Sequence, residues 1–247
     1  MIKFFRKIRL NLLSEGKTGK YLKYAIGEIV LVVIGILIAL QINNWNEDRK
    51  SEAKKQDYYV QLLDDLNSDI ISAQNTIEEF SNHQKEYNDY ISSYNNESLT
   101  PVKAYGDISK LSLISTPPIF NTNTIEALQN SGDIGLIPSS IRNKLMNLGR
   151  LQNLTIQRFE VTDTGQRGIT QKLSSLLGAT TLPKRLENQP EMKEFLNIDE
   201  NLRELILVYE GIHRWKSVSQ LETIDRLEKM QKEIDTIITL IKKELKK

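Results

Sequence analysis

The histidines are the first residues whose chemistry needs attention, because the chain has two of them and no cysteine. Without cysteine, disulfides, thiolate zinc sites and cysteine nucleophiles are excluded. His213 follows Glu210 at the three-residue spacing with which helical bundles hold metals. The other histidine, His83, follows Glu79 at a spacing of four, so the second half of such a site is missing. We therefore expect no metal site and no cofactor.

Motifs for nucleophilic and phosphate chemistry are incomplete. Ser14 and Lys17 match the pattern Ser-x-x-Lys, but the companion motifs of penicillin-binding enzymes do not accompany them. The stretch GKTGK at 16–20 lacks the glycine that a phosphate-binding loop needs five positions earlier, where Asn11 stands. We therefore expect no catalytic residues and no enzyme activity.

Composition favours an all-α protein without a nucleic-acid partner. The chain has 33 basic and 32 acidic residues, so no overall field attracts an acidic partner. Its 247 residues include only 6 prolines and 12 glycines, and strongly alternating stretches are rare. The chain has room for one medium domain and an anchor.

The only long apolar run, AIGEIVLVVIGILIALQI, occupies residues 25–42. As a helix it is roughly 27 Å long, close to the hydrocarbon thickness of a bilayer. Its Ile, Leu and Val residues contribute about −4 to −7 kcal/mol to insertion, whereas Glu28 costs at most about 3 kcal/mol. The run is followed by Asn43, Asn44 and Trp45 rather than by a small-x-small cleavage site. The sequence therefore predicts an uncleaved transmembrane helix, with the lipid bilayer as its surroundings.

Three residues of this helix are candidate contacts for a membrane partner. Intramembrane acids are functional hypotheses by default, and Glu28 could pair with a basic residue on a partner helix or reach the headgroups or Lys23. Gly35 and Ala39 form a small-xxx-small pair that allows two helices to pack closely.

Basic residues on the two flanks predict the orientation. Residues 1–24 carry seven Lys or Arg, whereas the twenty residues after the run carry four, beginning at Arg49. By the positive-inside rule the amino terminus is cytoplasmic and the larger domain is periplasmic or extracellular. Residues 1–24 also fit a basic amphipathic helix in the headgroup plane, although a simple topology signal explains them equally well.

For the exported part we predict a solvated juxtamembrane stalk at residues 43–58. We predict that residues 59–247 after it form an elongated, antiparallel, coiled-coil-like helical bundle. Apolar residues recur at alternating steps of three and four from Tyr59 toward Tyr94. A second helix is predicted from Pro138 to Leu177 and a third from Asp199, as N-cap, nearly to the end. Loops are expected near 96–106 and 178–190. The apolar seam of the first helix packs either within the chain or against another copy of the chain, and its periodicity is the same in both cases. The predicted seam positions of the three helices are Leu63, Leu66, Ile70, Ala73, Ile77, Phe80, Gln84, Tyr87, Ile91 and Tyr94; Ile141, Leu145, Leu148, Gln152, Thr155 and Phe159; and Ile224, Leu227, Gln231, Ile234, Ile238, Ile241 and Leu245.

Residues 115–138 interrupt this pattern. Asn123 and Glu126 have the spacing of a capping box, with Asn123 as the cap, and Gly132 suits the left-handed position that ends a short helix. The segment is either a helix-loop-helix corner at the tip of the bundle or a surface for a partner or ligand. The candidate residues of such a surface are Asn121, Asn123, Glu126, Ser131, Gly132 and Asp133.

Two stretches resemble an uncharacterised family of bitopic membrane proteins from flavobacteria and other Bacteroidetes. The first is FFRKIRLNLLSEGKTGKYLKYAIGEIVLVVIGILIALQINNWNE, and the second is TNTIEALQNSGDIGLI followed by IRNKL. The resemblance covers about the first 48 residues and residues 121–145. It implies an anchor in the inner membrane and a periplasmic domain, and it carries no catalytic residues over.

Two functional hypotheses follow. The first is a scaffold or accessory protein whose bundle associates with itself or with a membrane or periplasmic protein. The second is a sensory or ligand-binding module. Because the predicted cytoplasmic part is only residues 1–24, such a sensor signals through a separate partner.

Overall fold

The structure is a computed structural model that describes residues 18–178, 181–196 and 198–246. Within these residues it contains helices and no β-strand, which confirms the predicted all-α class. Most of the predicted cytoplasmic segment 1–24 lies outside the described residues. The α-helices are α1 (Thr18–Ser92), α2 (Pro101–Ile108), α3 (Asn123–Ser131), α4 (Ser139–Leu177), α5 (Leu182–Leu186), α6 (Pro190–Leu196) and α7 (Leu202–Glu244), with 3-10 helices at Ser93–Asn95, Asp133–Leu136 and Ile198–Asn201.

The chain divides into two units, Met1–Asp57 and Tyr58–Lys247. In the first unit, the apolar stretch of α1 is long enough and apolar enough to span a membrane. None of the residues in that stretch is buried by other parts of the protein. An apolar helix without protein around it is what a membrane-spanning segment requires, because lipid provides its apolar surroundings.

The second unit contains three long helical segments, contributed by α1, α4 and α7. Helices α4 and α7 are antiparallel, as the ion pairs Lys144–Glu233 and Lys172–Glu204 show. Helices α1 and α4 are parallel, because Asp69 accepts a hydrogen bond from Gln152 and, further along both helices, Phe80 stacks on Phe159. The chain between α1 and α4 must therefore return along the bundle before α4 begins.

Two hydrophobic clusters hold these helices together. The first cluster joins the early part of the second unit's α1, α3, the start of α4 and the end of α7, with Leu66, Leu145 and Ile234 almost fully buried. The second cluster joins the ends of α1 and α4 to α2 and the start of α7, with Ile108 and Ile212 buried. Side chains between the two clusters are mostly polar.

The buried face of α1 keeps part of the predicted seam and also includes positions next to it. Leu66, Ala73 and Phe80 are buried as predicted, and so is the predicted seam of α4. Ile91 and Tyr94 are exposed, which contradicts the prediction. Helix α1 is covered on two sides, by the long helices and by the returning chain, so its buried stripe shifts toward the residues that both sides share. The buried residues that the seam omitted are Leu62, Asp69, Thr76 and Tyr90.

Two predicted N-caps are wrong. Helix α3 begins at Asn123, so Thr122 is its N-cap, and the Thr122 hydroxyl donates to the Glu126 carboxylate at 2.6 Å instead of closing a capping box from Asn123. Helix α7 has Asn201 at its N-cap, because a 3-10 turn occupies Ile198–Asn201, where Asp199 was expected to start the helix. The predicted loop at 96–106 is partly helical, since Thr100 caps α2 through the Lys103 amide.

Gly132 ends α3 in the left-handed conformation that the sequence predicted, with φ of 78° and ψ of 0°. Gly132→Ala is expected to lower the free energy of unfolding by about 1 kcal/mol, because a Cβ disfavours this conformation. Gly149 lies within α4 with open space around a Cβ. Gly149→Ala should instead stabilise by up to about 1 kcal/mol. Denaturant unfolding of the detergent-solubilised chain measures the free energy of unfolding of both variants. An equal change in the two variants would contradict the left-handed conformation of Gly132.

Candidate functional site

The returning chain forms a non-helical strap, residues 112–122, between α2 and α3. It runs antiparallel to α1, because its contacts meet α1 in reverse order. A segment without helix or sheet has no backbone partners of its own, so its polar groups must bond to side chains or water. The strap–α1 contacts are Thr116 N to Glu79, the Ser72 hydroxyl to Ile119 O, and Asn121 N to Asp69, followed at the start of α3 by Thr124 N to Asp65.

Lys216 of α7 holds the beginning of the strap. Its ammonium donates to the carbonyl oxygens of Ser112 at 2.6 Å and Ile114 at 2.8 Å, and its side chain is almost fully buried. Burial lowers the pKa of Lys216 from 10.5 to about 8, while the charges of Glu79 and Glu86 act in the opposite direction. Gln166 of α4 donates to the intervening carbonyl of Leu113 at 2.6 Å. Two long helices therefore hold three successive strap carbonyls.

Asp69 of α1 holds the other end of the strap. One carboxylate oxygen accepts from the backbone N–H of Asn121 at 2.7 Å, and the other accepts from the Gln152 amide of α4 at 2.7 Å. Asp69 is 1 % exposed. Burial raises its pKa from 3.8 to about 6, although the hydrogen bonds from Asn121 and Gln152 favour the charged form. The carboxylate thus joins α1, α4 and the strap at one buried point.

A network of amides and hydroxyls crosses from α1 to α7 between these two points. The Gln84 amide donates to Gln220 at 2.9 Å, and the Ser217 hydroxyl donates to Gln84 at 2.7 Å. The Gln220 amide reaches the Ser115 hydroxyl of the strap and the His83 ring. Because Gln220 is 1 % exposed, these partners replace the water that its amide loses on folding.

His213 lies beside this network and stacks on Tyr87, with ring centroids 5.4 Å apart. Its Nε2 is buried and has no hydrogen-bond partner among the described residues, and it lies next to a cavity of about 10 Å³ that Lys216 and Gln220 also line. That volume accommodates about one water molecule. Burial, with the nearby positive charge of Lys216, lowers the pKa of His213 from 6.5 to about 4, so the ring is neutral at pH 7. The space around the buried lysine and histidine therefore admits water but no larger substrate.

The predicted surface residues are divided between two places. Asn121 belongs to the buried network, bonded to Asp69 through its backbone and side chain. Asn123 and Glu126 are exposed on α3. Glu126 also lines a surface groove of about 400 Å³ between α3 and α4, together with Gln129, Met146, Arg150 and Leu154.

Ser131, Gly132 and Asp133 form the corner between α3 and α4. The Asp133 carboxylate accepts from the Tyr58 hydroxyl at 2.8 Å, which attaches this corner to α1. The Ser131 hydroxyl accepts from the Asp133 amide. The predicted helix-loop-helix corner is thus present at 131–138, but residues 115–122 run along the helices and not at a tip, because they are part of the strap.

The candidate residues of the apolar helix lie in the first unit. Gly35 and Ala39 are exposed, and a Cβ at Gly35 would meet open space. Glu28 is partly exposed. Among the described residues, no three His, Asp or Glu side chains lie close enough together to hold a metal ion. That the protein binds no metal remains a prediction.

The sequence reasoning missed Asp69, Gln166, Lys216 and Gln220. A signal for this layer was present, since the predicted seams already contained Gln84 and Gln152 at core positions. A polar residue at a core position needs a buried partner. The periodicity shows that such a partner exists but does not show that the strap supplies it.

Lys216→Met is expected to loosen the strap, because the carbonyls of Ser112 and Ile114 lose a donor that reaches them from the buried side of the strap. The free energy of unfolding should fall by about 1–3 kcal/mol. Amide hydrogen exchange, read by mass spectrometry, should accelerate at 112–122 more than in α4. Lys232→Met, at an exposed position of α7, is the control and should leave both measurements unchanged.

His213 should make stability depend on pH. Because its pKa is lower in the folded protein, the unfolded chain binds the proton more tightly, and its contribution is present above pH 6.5 and lost as the pH falls toward about 4. The full loss is roughly 3 kcal/mol. Asp69, whose folded pKa is raised to about 6, contributes with the opposite sign in an overlapping range.

The contribution of His213 is therefore measured as a difference. Unfolding of the wild type and of His213→Gln is followed from pH 7.5 to about 4. The wild type should lose more stability than the variant as the pH falls. Parallel curves would show that the His213 ring does not titrate differently in the two states. Burial also lowers the pKa of His83, but this residue is present in both proteins, so its contribution cancels in the difference.

Comparison with known proteins gives a family but no function. A search of curated proteins and a search of solved structures find no match. A family model described as "Family of unknown function (DUF6090)" matches residues 28–183. This match runs from the apolar part of α1 through the strap and α4, so it includes the Asp69 end of the site but not Lys216. Since it spans more than half of the chain, the protein belongs to this family of unknown function.

Proposed function

We propose that this protein is a single-pass, membrane-anchored interaction protein. Its apolar helix holds it in the inner membrane, and its helical bundle binds a protein partner in the periplasm. In this proposal it is a scaffold or accessory subunit and not an enzyme. The observation that carries the proposal is the uncovered apolar face of α6.

Helix α6 carries an apolar face whose three side chains are 38–82 % exposed in the described part of the chain. Met192, Phe195 and Leu196 follow the i, i+3, i+4 spacing of one helix face, and Phe195 is 82 % exposed. No residue of α6 is buried. A helix of seven residues is too short to be stable in water by itself. Cover from a partner would therefore stabilise both the helix and the complex.

Other exposed apolar residues lie at the same end of the bundle, where α1 ends and α7 begins. Val102 of α2 is 71 % exposed and Leu207 of α7 is 63 % exposed. We name this surface, together with the α6 face, the α6 end. In this proposal the apolar side chains of the three helices contact one protein partner.

Location and orientation are part of the proposal. The apolar stretch of α1 supports a membrane anchor, and the excess of Lys and Arg in residues 1–24 favours a cytoplasmic amino terminus. The resemblance to bitopic proteins of Bacteroidetes supports the inner membrane. Within the span, Glu28, Gly35 and Ala39 provide a second place for a partner, through ion pairing or close helix packing.

A sensory or ligand-binding module is the second candidate. The groove between α3 and α4 favours it, because about 400 Å³ lined by Glu126, Gln129 and Arg150 accommodates a small polar ligand. A ligand in this groove would contact Thr122 at the α3 end of the strap, next to Asn121, which bonds to Asp69 in the buried network. Such a module needs a separate protein to carry its signal.

The experiment is purification of the full chain from its native membrane in mild detergent, with identification of proteins that accompany it. Phe195→Ser and Val102→Ser should weaken capture of a partner by about tenfold or more, because each removes an apolar contact of about 1.5–3 kcal/mol. Val60→Ser and Ile71→Ser are the controls, since these residues are similarly exposed but lie elsewhere on the bundle. Both controls should retain the partner.

A parallel purification with Glu28→Leu tests recognition inside the membrane. Loss of the partner in this variant alone would move recognition from the α6 end to the span. The sensory candidate replaces the scaffold if two results are obtained together. The wild type is purified without any other protein, and it binds a small molecule whose binding is abolished by Arg150→Ala. Retention of the same partner by every variant would contradict the α6 end as its binding surface.

A further inference from the structure

Trp45 and Arg49 form a pair on one face of α1, just beyond the apolar run. The guanidinium carbon of Arg49 lies 5.6 Å from the centre of the indole ring, within the range of a cation–π contact. Its Nη2 also approaches the Asn46 side-chain oxygen at 3.4 Å. Both contacts are to neutral groups, and Trp45 is 63 % exposed. The pair is therefore an ordered cation on an aromatic support at the surface of the helix.

Arg49 contacts neutral groups, whereas its basic neighbours Lys50 and Lys55 form ion pairs with acidic residues. Lys50 pairs with Glu47 at 3.2 Å, and Lys55 pairs with Glu52 at 2.6 Å. Glu52, the acid three residues after Arg49, accepts from Lys55 and Gln56. Within the described residues, the contacts of Arg49 are the indole ring and Asn46. Its positive charge is consequently available to an anion outside the chain.

The position of the pair along the helix corresponds to the headgroup layer. At 1.5 Å per residue, Trp45 lies about 5 Å and the Arg49 backbone about 10 Å beyond Ile42, the last residue of the apolar run. Each headgroup layer of a bilayer is roughly 5–8 Å thick. Side chains of a helix lean toward its amino terminus, and the Arg49 guanidinium accordingly lies back over Trp45. Both groups thus come to the depth of lipid phosphates.

We propose that Trp45 and Arg49 bind the phosphate of a phospholipid headgroup on the side where the chain leaves the membrane. The planar guanidinium offers two parallel N–H donors to phosphate oxygens, and the indole holds it in place. This site fixes the depth of the helix at that surface. It rests on the proposal that residues 25–42 span a membrane.

The test is carbon–phosphorus dipolar dephasing in solid-state NMR. The full chain, with arginine labelled at Cζ, is reconstituted in vesicles of phosphatidylethanolamine and phosphatidylglycerol. Arg49→Gln should lose a component of the dephasing that the wild type shows, and any arginine in residues 1–24 is common to both proteins. Lys50→Gln removes the same charge from the neighbouring, paired residue and should keep the full dephasing.

A second variant examines the aromatic support. Trp45→Leu keeps Arg49 but removes the ring, so the dephasing component should shrink. Equal dephasing in the wild type and Arg49→Gln would overturn the site. An equal loss in Lys50→Gln would also overturn it, because general charge attraction would then explain the contact.

An alkaline wash of the same vesicles separates this inference from the proposed anchor. If the chain stays in the membrane but shows no Arg49-dependent dephasing, the phosphate site is wrong and the anchor stands. If the wash releases the chain, the anchor itself is wrong, and the phosphate site is overturned with it.

Discussion

The second unit depends on satisfying the backbone of the strap, a segment within which no backbone group bonds to another backbone group. The strap has to return along the bundle, because α1 and α4 are parallel and the chain between them must travel back. Packed against helices, its carbonyl and amide groups lose water and need replacements. Lys216, Gln166, Ser72 and Asp69 supply them from all three long helices. Four of the buried polar residues, Asp69, Gln166, Lys216 and Gln220, thus bond to the strap.

This arrangement explains why the bundle has two apolar clusters instead of one continuous core. The layer between them contains Gln84, Gln220, His213 and Lys216, each bonded to or beside the strap or a neighbouring helix. An apolar core would tolerate slippage of the strap by one residue, whereas each hydrogen bond here fits one register. The buried ionisable groups couple the fold to pH, since burial lowers the pKa of Lys216 and His213 in this layer and raises the pKa of Asp69 within the first cluster.

Exposed apolar side chains have two different physical meanings in the two units. In the first unit the apolar residues of α1 cover every side of the helix, as lipid surroundings require. In the second unit the bundle is amphipathic, and the exposed apolar residues of α6 occupy a single face. An all-round distribution favours lipid as the partner, and a one-sided distribution favours another protein. The proposed anchor and the proposed α6 end follow from this difference.

From the amino-acid sequence alone one can predict the helical class, the apolar run at 25–42, the buried seam of α4 and the left-handed Gly132. Each of these depends on local properties: the period of apolar residues, the length of a run, and the conformational freedom of glycine. The folded chain was needed to show that residues 112–122 form a strap, that Asp69 and Lys216 are buried, and that the buried stripe of α1 includes Leu62, Asp69 and Thr76. Those features depend on contacts between residues far apart in the chain, 37 positions for Thr116 with Glu79 and 104 positions for Lys216 with Ser112. A periodic pattern along one helix does not contain them, because it records which face is covered and not which segment covers it.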